Sequence, residues 1–87
     1  MSLVKNNKFD FIEIDNDNYA IFDPDTGNTH IIEASGADIL KQIDGINEKE
    51  DIIKNLKQLY DITSNEISDD VTDFINSLIE KKIVIES

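Results

Sequence analysis

The feature that most narrows what this chain can fold into is a change of period between His30 and Gly45, where the sequence reads H-I-I-E-A-S-G-A-D-I-L-K-Q-I-D-G. His30 to Glu33 is a short apolar run suited to a strand. Ile39, Leu40 and Ile43 then stand at the three-and-four spacing of a helix face. Ser35 supplies a helix-start signal, and Gly45 permits a left-handed exit. Before this stretch the chain reads as strand, and after it as helix. What the protein does then depends on whether the strand is a buried partner or an open edge.

Upstream, Phe9 to Ile14 suits a strand, with apolar residues on both parities, so that one face meets the core and the other a second layer. Asp15-Asn16-Asp17-Asn18 is a turn, because these side chains hydrogen-bond their own backbone and tolerate left-handed geometry. Tyr19 to Phe22 is the second strand. Asp23 to Asn28 is the next connection, with Pro24 presetting φ and Gly27 free to take a positive φ. Thr29 to Glu33 is the third strand. Short connections between three such runs make an antiparallel meander the simplest topology.

Downstream, helix one carries Ile39, Leu40 and Ile43 behind its Ser35 cap. Asn47 opens helix two, with Glu50 completing a capping box and Ile52, Ile53, Leu56, Leu59 and Tyr60 forming its apolar stripe. Thr63-Ser64-Asn65-Glu66 is the capping box of helix three, flanked by Ile62 and Ile67 as a hydrophobic staple. Its stripe is Ile67, Val71, Phe74 and Leu78, widened by Ile75 and Ile79. Ile83-Val84-Ile85 is a short apolar tail that docks on the body or adds a last strand. The expected fold class is α+β: a three-stranded antiparallel sheet followed by a three-helix bundle. Residues 1–87 read as one domain, with 1–8 flexible and Met1-Ser2-Leu3 set aside from the fold argument.

Function is first narrowed by exclusion. Nineteen acidic against eight basic residues give a net charge of −11, which repels phosphate backbones and anionic lipid surfaces. There is no cysteine, so thiolate chemistry, disulfides and cysteine metal sites are absent, and the composition fits a reducing, cytoplasmic compartment. No apolar run is long enough to span a bilayer, and the N-terminus lacks signal-peptide character.

Two acidic turns, Asp15/Asp17 and Asp23/Asp25, resemble the opening of a calcium loop. Counting to its closing position reaches Thr26 and Ala34, and neither supplies the bidentate glutamate. His30 is the one histidine; Glu33 or Asp25 would have to orient it, and no nucleophile stands in a triad context. Glycines 27, 36 and 45 are isolated and make no phosphate loop. These readings point to no catalytic residue, no metal and no cofactor. Three helices also suggest a helix-turn-helix DNA reader, but helix three exposes Glu66, Asp69, Asp70 and Asp73 where such a reader needs Arg or Lys.

What remains is peptide recognition. An edge strand presents unpaired N–H and C=O groups to which an extended peptide can add, and a helix alongside would form the second wall of a groove.

The run Tyr19-Ala20-Ile21-Phe22-Asp23-Pro24-Asp25-Thr26-Gly27, followed by Ile31 to Leu40 and Ile43-Asp44-Gly45, resembles the pyrroloquinoline quinone biosynthesis protein D (PqqD) family. Ile52-Ile53-Lys54-Asn55-Leu56, Tyr60-Asp61-Ile62 and Asp69 to Leu78 continue that pattern in order. The family often has a Leu-Asn pair where this chain has Ile32-Glu33. The resemblance implies a winged-helix-like domain that acts as a non-catalytic peptide chaperone. Such a domain binds the leader segment of a ribosomally made precursor as an added strand and presents it to a modifying enzyme, often a radical SAM protein. Carried onto this chain, it places the peptide against Thr29, His30, Ile31, Ile32 and Glu33. Asp70, Phe74, Ser77, Leu78 and Lys81 of helix three then form the other wall. The competing expectation is a structural or regulatory winged-helix module acting through a homodimer across the same edge, or through DNA.

Overall fold

The structure is a computed structural model that describes residues 2–62 and 66–86. Its elements run β1 (Leu3–Lys5), β2 (Asp10–Asp15), β3 (Asn18–Phe22), β4 (Thr29–Glu33), α1 (Ser35–Lys41), α2 (Lys49–Leu59), α3 (Glu66–Glu80) and β5 (Val84–Glu86). The α+β class, the antiparallel meander β2-β3-β4 and the three helices match the sequence reading.

Both turns of the meander are made by aspartates. Asp15 accepts from the Asp17 N–H at 2.8 Å and from the Asn18 amide, while Asp23 accepts from the Asp25 N–H at 2.9 Å. Three backbone N–H groups close on Asp44 and Asp15 in this way: those of Ile46, Asn47 and Asp17. Each carboxyl is thereby held below its ordinary range, first by these backbone hydrogen bonds.

The ends of the chain depart from expectation. Residues 1–8 were expected to be flexible, with Leu3 outside the fold; instead Leu3 is 2% exposed and belongs to the core. Its strand pairs with the apolar tail, Val4 opposite Ile85, as a second, two-stranded sheet. Leu3 also donates to the Asn47 carbonyl at 3.0 Å and accepts from the Gly45 N–H at 2.8 Å. Gly45 meets that carbonyl from the positive-φ region, φ 85°, which a glycine adopts without steric cost. Burial of Leu3, the pairing of its backbone groups and the ladder with β5 together hold this short strand in place. The tail therefore covers the core with Ile83 and Val84 and leaves the edge of the meander alone.

Helix boundaries shift by one residue at two places. Ala34, rather than Ser35, is the cap of α1, because its N–H closes the β3–β4 ladder on Asp17 and its carbonyl takes the first helical bonds from Ala37 and Asp38. In α2 the capping box is Glu48 with Asp51, not Asn47 with Glu50. Asn47 is already committed elsewhere, its amide donating to the Gln42 carbonyl at 3.0 Å. The box expected at Thr63–Glu66 falls on residues 63–65, outside the described residues.

The core is built from Leu40 and Ile43 around α1, Ile52 and Leu56 of α2, Val71, Ile75 and Leu78 of α3, and Tyr19 and Ile21 of β3. Two stripes differ from expectation. Leu59 and Tyr60 are exposed, since α2 ends there after burying only Ile52 and Leu56 fully. On α3 the buried line runs through Ile75, and Ile67 and Phe74 are left half-buried on one flank. The second layer expected on the far face of β2 is also missing among the described residues: Ile12 and Ile14 are 53% and 56% exposed.

Leu3→Ala should lower unfolding free energy by about 2–5 kcal/mol, the usual range for truncating a buried leucine. Urea denaturation followed by far-UV circular dichroism checks this; a flexible, unused N-terminus would give no change.

Candidate functional site

Among the described residues, β4 pairs with β3 on one side only. Two bonds fix which of its backbone groups are left over. Asp23 donates to the Asn28 carbonyl at 2.9 Å before the strand, and Ala34 donates to the Asp17 carbonyl at 2.8 Å after it. Antiparallel ladders alternate, so the residues between these two that turn their N–H and C=O toward β3 are His30 and Ile32, opposite Ile21 and Tyr19. Thr29, Ile31 and Glu33 turn theirs away. Among the described residues no strand takes up those groups.

Beside this edge lies a groove of about 680 Å³. Ile31, Ile32 and Glu33 form one wall, and the first half of α3 forms the other with Glu66, Ile67, Asp70, Val71 and Phe74. Gly36 and Ile39 of α1 and Leu56 of α2 line it, and Tyr60 and Ile62 extend it at one end. The depth of the groove depends on Gly36. A Cβ built there would stand 2.6 Å from Cγ2 of Ile32 and 3.2 Å from Cζ of Phe74. Only glycine lets the start of α1 sit between the inner side of β4 and the aromatic ring of α3.

The lining is apolar and its rim acidic: Glu33, Glu66 and Asp70 are exposed, and no lysine, arginine or histidine stands among the described lining residues. At one end the Tyr60 hydroxyl donates to Asp38 Oδ2, fastening the exit of α2 to α1. That hydrogen bond, ahead of burial and the charge of Asp38, pushes the Tyr60 phenol up to about 12. Tyr19, at the inner face of β3, is raised too, by burial first and by Glu13 beside it.

The sequence-predicted site residues divide into those the groove gathers and those it does not. Ile31, Ile32, Glu33, Asp70 and Phe74 line it together. Thr29 and His30 precede the groove on the same strand. Ser77 and Lys81 lie one and two turns beyond Phe74, outside the lining, and Leu78 is 3% exposed in the core. The helical wall is thus the first half of α3, where sequence reasoning had taken the span from Asp70 to Lys81. Gly36, Ile39, Leu56, Tyr60, Ile62 and Ile67 were not singled out for the site. The exposed end of the α2 stripe and the staple pair were the signals that could have found Tyr60, Ile62 and Ile67; nothing local marks Gly36.

Other chemistry finds little support in the geometry. Asp25 pairs with Lys8 Nζ at 2.7 Å rather than with His30. Among the described residues no group of three or more His, Asp or Glu side chains is gathered as a metal-binding cluster. No helix among them is long and apolar enough to cross a membrane.

An open strand edge flanked by a helix-walled groove defines a class of small α+β recognition domains. Comparison with family models identifies which: the one described as coenzyme PQQ synthesis protein D (PqqD) matches residues 18–84, and the chain belongs to that family. Among solved structures, one titled "TbiB1 in Complex with the TbiA(beta) Leader Peptide" superposes with a TM-score of 0.83 at 18% identity, over 97% of this chain and 96% of that one. A comparison with curated proteins finds no match.

Two outcomes follow from the groove's construction. Gly36→Ala should destabilise the protein by about 1–3 kcal/mol, as overpacking does, read from urea midpoints. Asp38→Asn should return the Tyr60 phenol from about 12 toward the ordinary value of 10.0, read from phenolate absorbance during alkaline titration. The fold favours neutral Tyr60, so its contribution is complete below pH 10 and is lost as pH rises through the raised value. An unchanged titration in Asp38→Asn would remove the hydrogen bond as the cause.

Proposed function

We propose that this protein is a non-catalytic peptide chaperone. It binds the leader segment of a ribosomally made precursor as an additional strand on β4 and presents it to a modifying enzyme. The observation that carries this reading is the pairing of an unfilled edge with a groove: outward backbone groups of Thr29, Ile31 and Glu33 beside an apolar trough that ends on Phe74. Main-chain hydrogen bonds supply affinity without regard to sequence, and the trough supplies selection. Family membership and the likeness to a leader-bound protein support the same role.

In this reading the site comprises the edge from Thr29 to Glu33 and a wall centred on Asp70 and Phe74. Ser77, Leu78 and Lys81 are the part of the original wall that the groove's position favours least. The enzyme that receives the leader is of the radical SAM type in the reading drawn from the family. The chain acts as one domain, in the cytoplasm, without cofactor or nucleic acid. Dimerisation across the same edge is disfavoured by the −11 charge that each copy would bring.

The test uses the N-terminal segment of any short peptide reading frame found beside this chain's gene, labelled and titrated by fluorescence anisotropy. Ile31→Pro removes an N–H that faces away from β3, so the protein should still fold while affinity falls at least tenfold. Ile32→Pro removes a bond of the β3–β4 ladder and should instead lower the melting temperature. Unchanged leader affinity in folded Ile31→Pro would overturn strand addition, and light scattering that finds a tight dimer taking up no peptide would overturn the chaperone role.

A further inference from the structure

The groove accounts for only one face of an added strand. The other face would lie beside a feature that the reading above leaves unused: a row of apolar side chains across the solvent side of the sheet. Ile12 stands opposite Ala20, and Ala20 opposite Ile31, so the row crosses all three strands of the meander. Ile12 and Ile31 are 53% and 55% exposed. Glu33 follows two residues after Ile31 on the same face, opposite Asn18.

We propose that the peptide is read on both faces, as a three-residue pattern of basic, apolar groove-filling and apolar sheet-covering side chains set opposite Glu33, Ile32 and Ile31. This rests on the reading that a leader adds to β4. A residue across from Ile32 shares its inner face and enters the trough floored by Gly36 and Phe74, so it is apolar. A residue across from Ile31 shares the outer face and extends the Ile12–Ala20–Ile31 row by one strand, which favours a β-branched or aromatic side chain. A residue across from Glu33 on this outer face meets a carboxylate directly. Glu33 has no cation at ion-pair distance among the described residues, so Lys or Arg is selected there and Asp or Glu rejected.

The outer row commits to the leader strand rather than to a second copy of this chain for two reasons. It is continuous with the open edge, so strand addition lengthens it without any rearrangement. Its border is acidic, so a second copy would bring like charge against like charge.

The experiment is selection from a displayed library of random twelve-residue peptides on the immobilised full chain, with isolates resynthesised and their affinities measured. Expected isolates carry Lys or Arg, then an aliphatic or aromatic residue, then a β-branched or aromatic one, in either chain direction. Replacing the basic residue by Glu should weaken binding about tenfold, less at high salt, and Glu33→Lys should reverse that preference. Isolates that lose affinity in Ile31→Pro yet show no basic preference, or are indifferent to the residue beside Ile31, would overturn the two-faced pattern and leave strand addition standing. Isolates indifferent to Ile31→Pro, or a selection with no binder, would overturn both.

Discussion

The structure turns on one peptide unit, at Ala34. Its N–H makes the last bond of the β3–β4 ladder, on Asp17, and its carbonyl accepts the first bonds of α1, from Ala37 and Asp38. To do both, the backbone takes φ 52° and ψ −120°, a conformation that L residues rarely occupy. Such a conformation costs on the order of 1–3 kcal/mol and persists where the surroundings over-determine it. Here a ladder on one side and a helix on the other leave the unit no alternative. The turn is tight enough to stop β4 at Glu33 and to drop α1 directly beneath the strand, against Ile32.

That placement explains the site. Because α1 begins under β4, it cannot run alongside the strand and cover its edge. Because Gly36 carries no side chain, the ring of Phe74 can approach from α3 and close the bottom of the groove. The second sheet completes the arrangement from the opposite end of the chain. β5 satisfies its backbone on β1 instead of on β4, so Ile83 and Val84 of the apolar tail are buried without filling the edge. A free edge is an aggregation hazard that proteins blunt with charge or cover. With a net charge of −11 and acidic side chains along the rim, this one is guarded by repulsion between copies, which leaves it open to a strand of different charge.

Much of this was legible in advance, and the exceptions share a cause. Strand β4 was read with its observed bounds, because an apolar run is stopped sharply by a helix-start signal. The aspartate turns were read correctly because an Asx side chain bonds to backbone within two residues of itself. The misses involve contacts and orientations that strand or helix periodicity does not encode. Leu3 looked dispensable because its partners, Asn47, Gly45 and Glu86, lie far along the sequence. Asn47 looked like a cap until Gln42 and Asp44 claimed its side chain. Phe74 looked central to its helix because periodicity gives the width of an apolar stripe but not the angle at which it meets the core.

The sequence by itself determined the order of β2, β3, β4 and the three helices, the acidic surface and the family, since periodicity, turn residues and charge are local or additive properties. It also gave the bounds of β4. Tertiary structure alone decided that this strand has a free side among the described residues and which of its residues turn their backbone outward. It decided as well that the opposite wall is the first half of α3. Those facts depend on which element packs against which, and the packing is set by a glycine whose only local mark is the absence of a side chain.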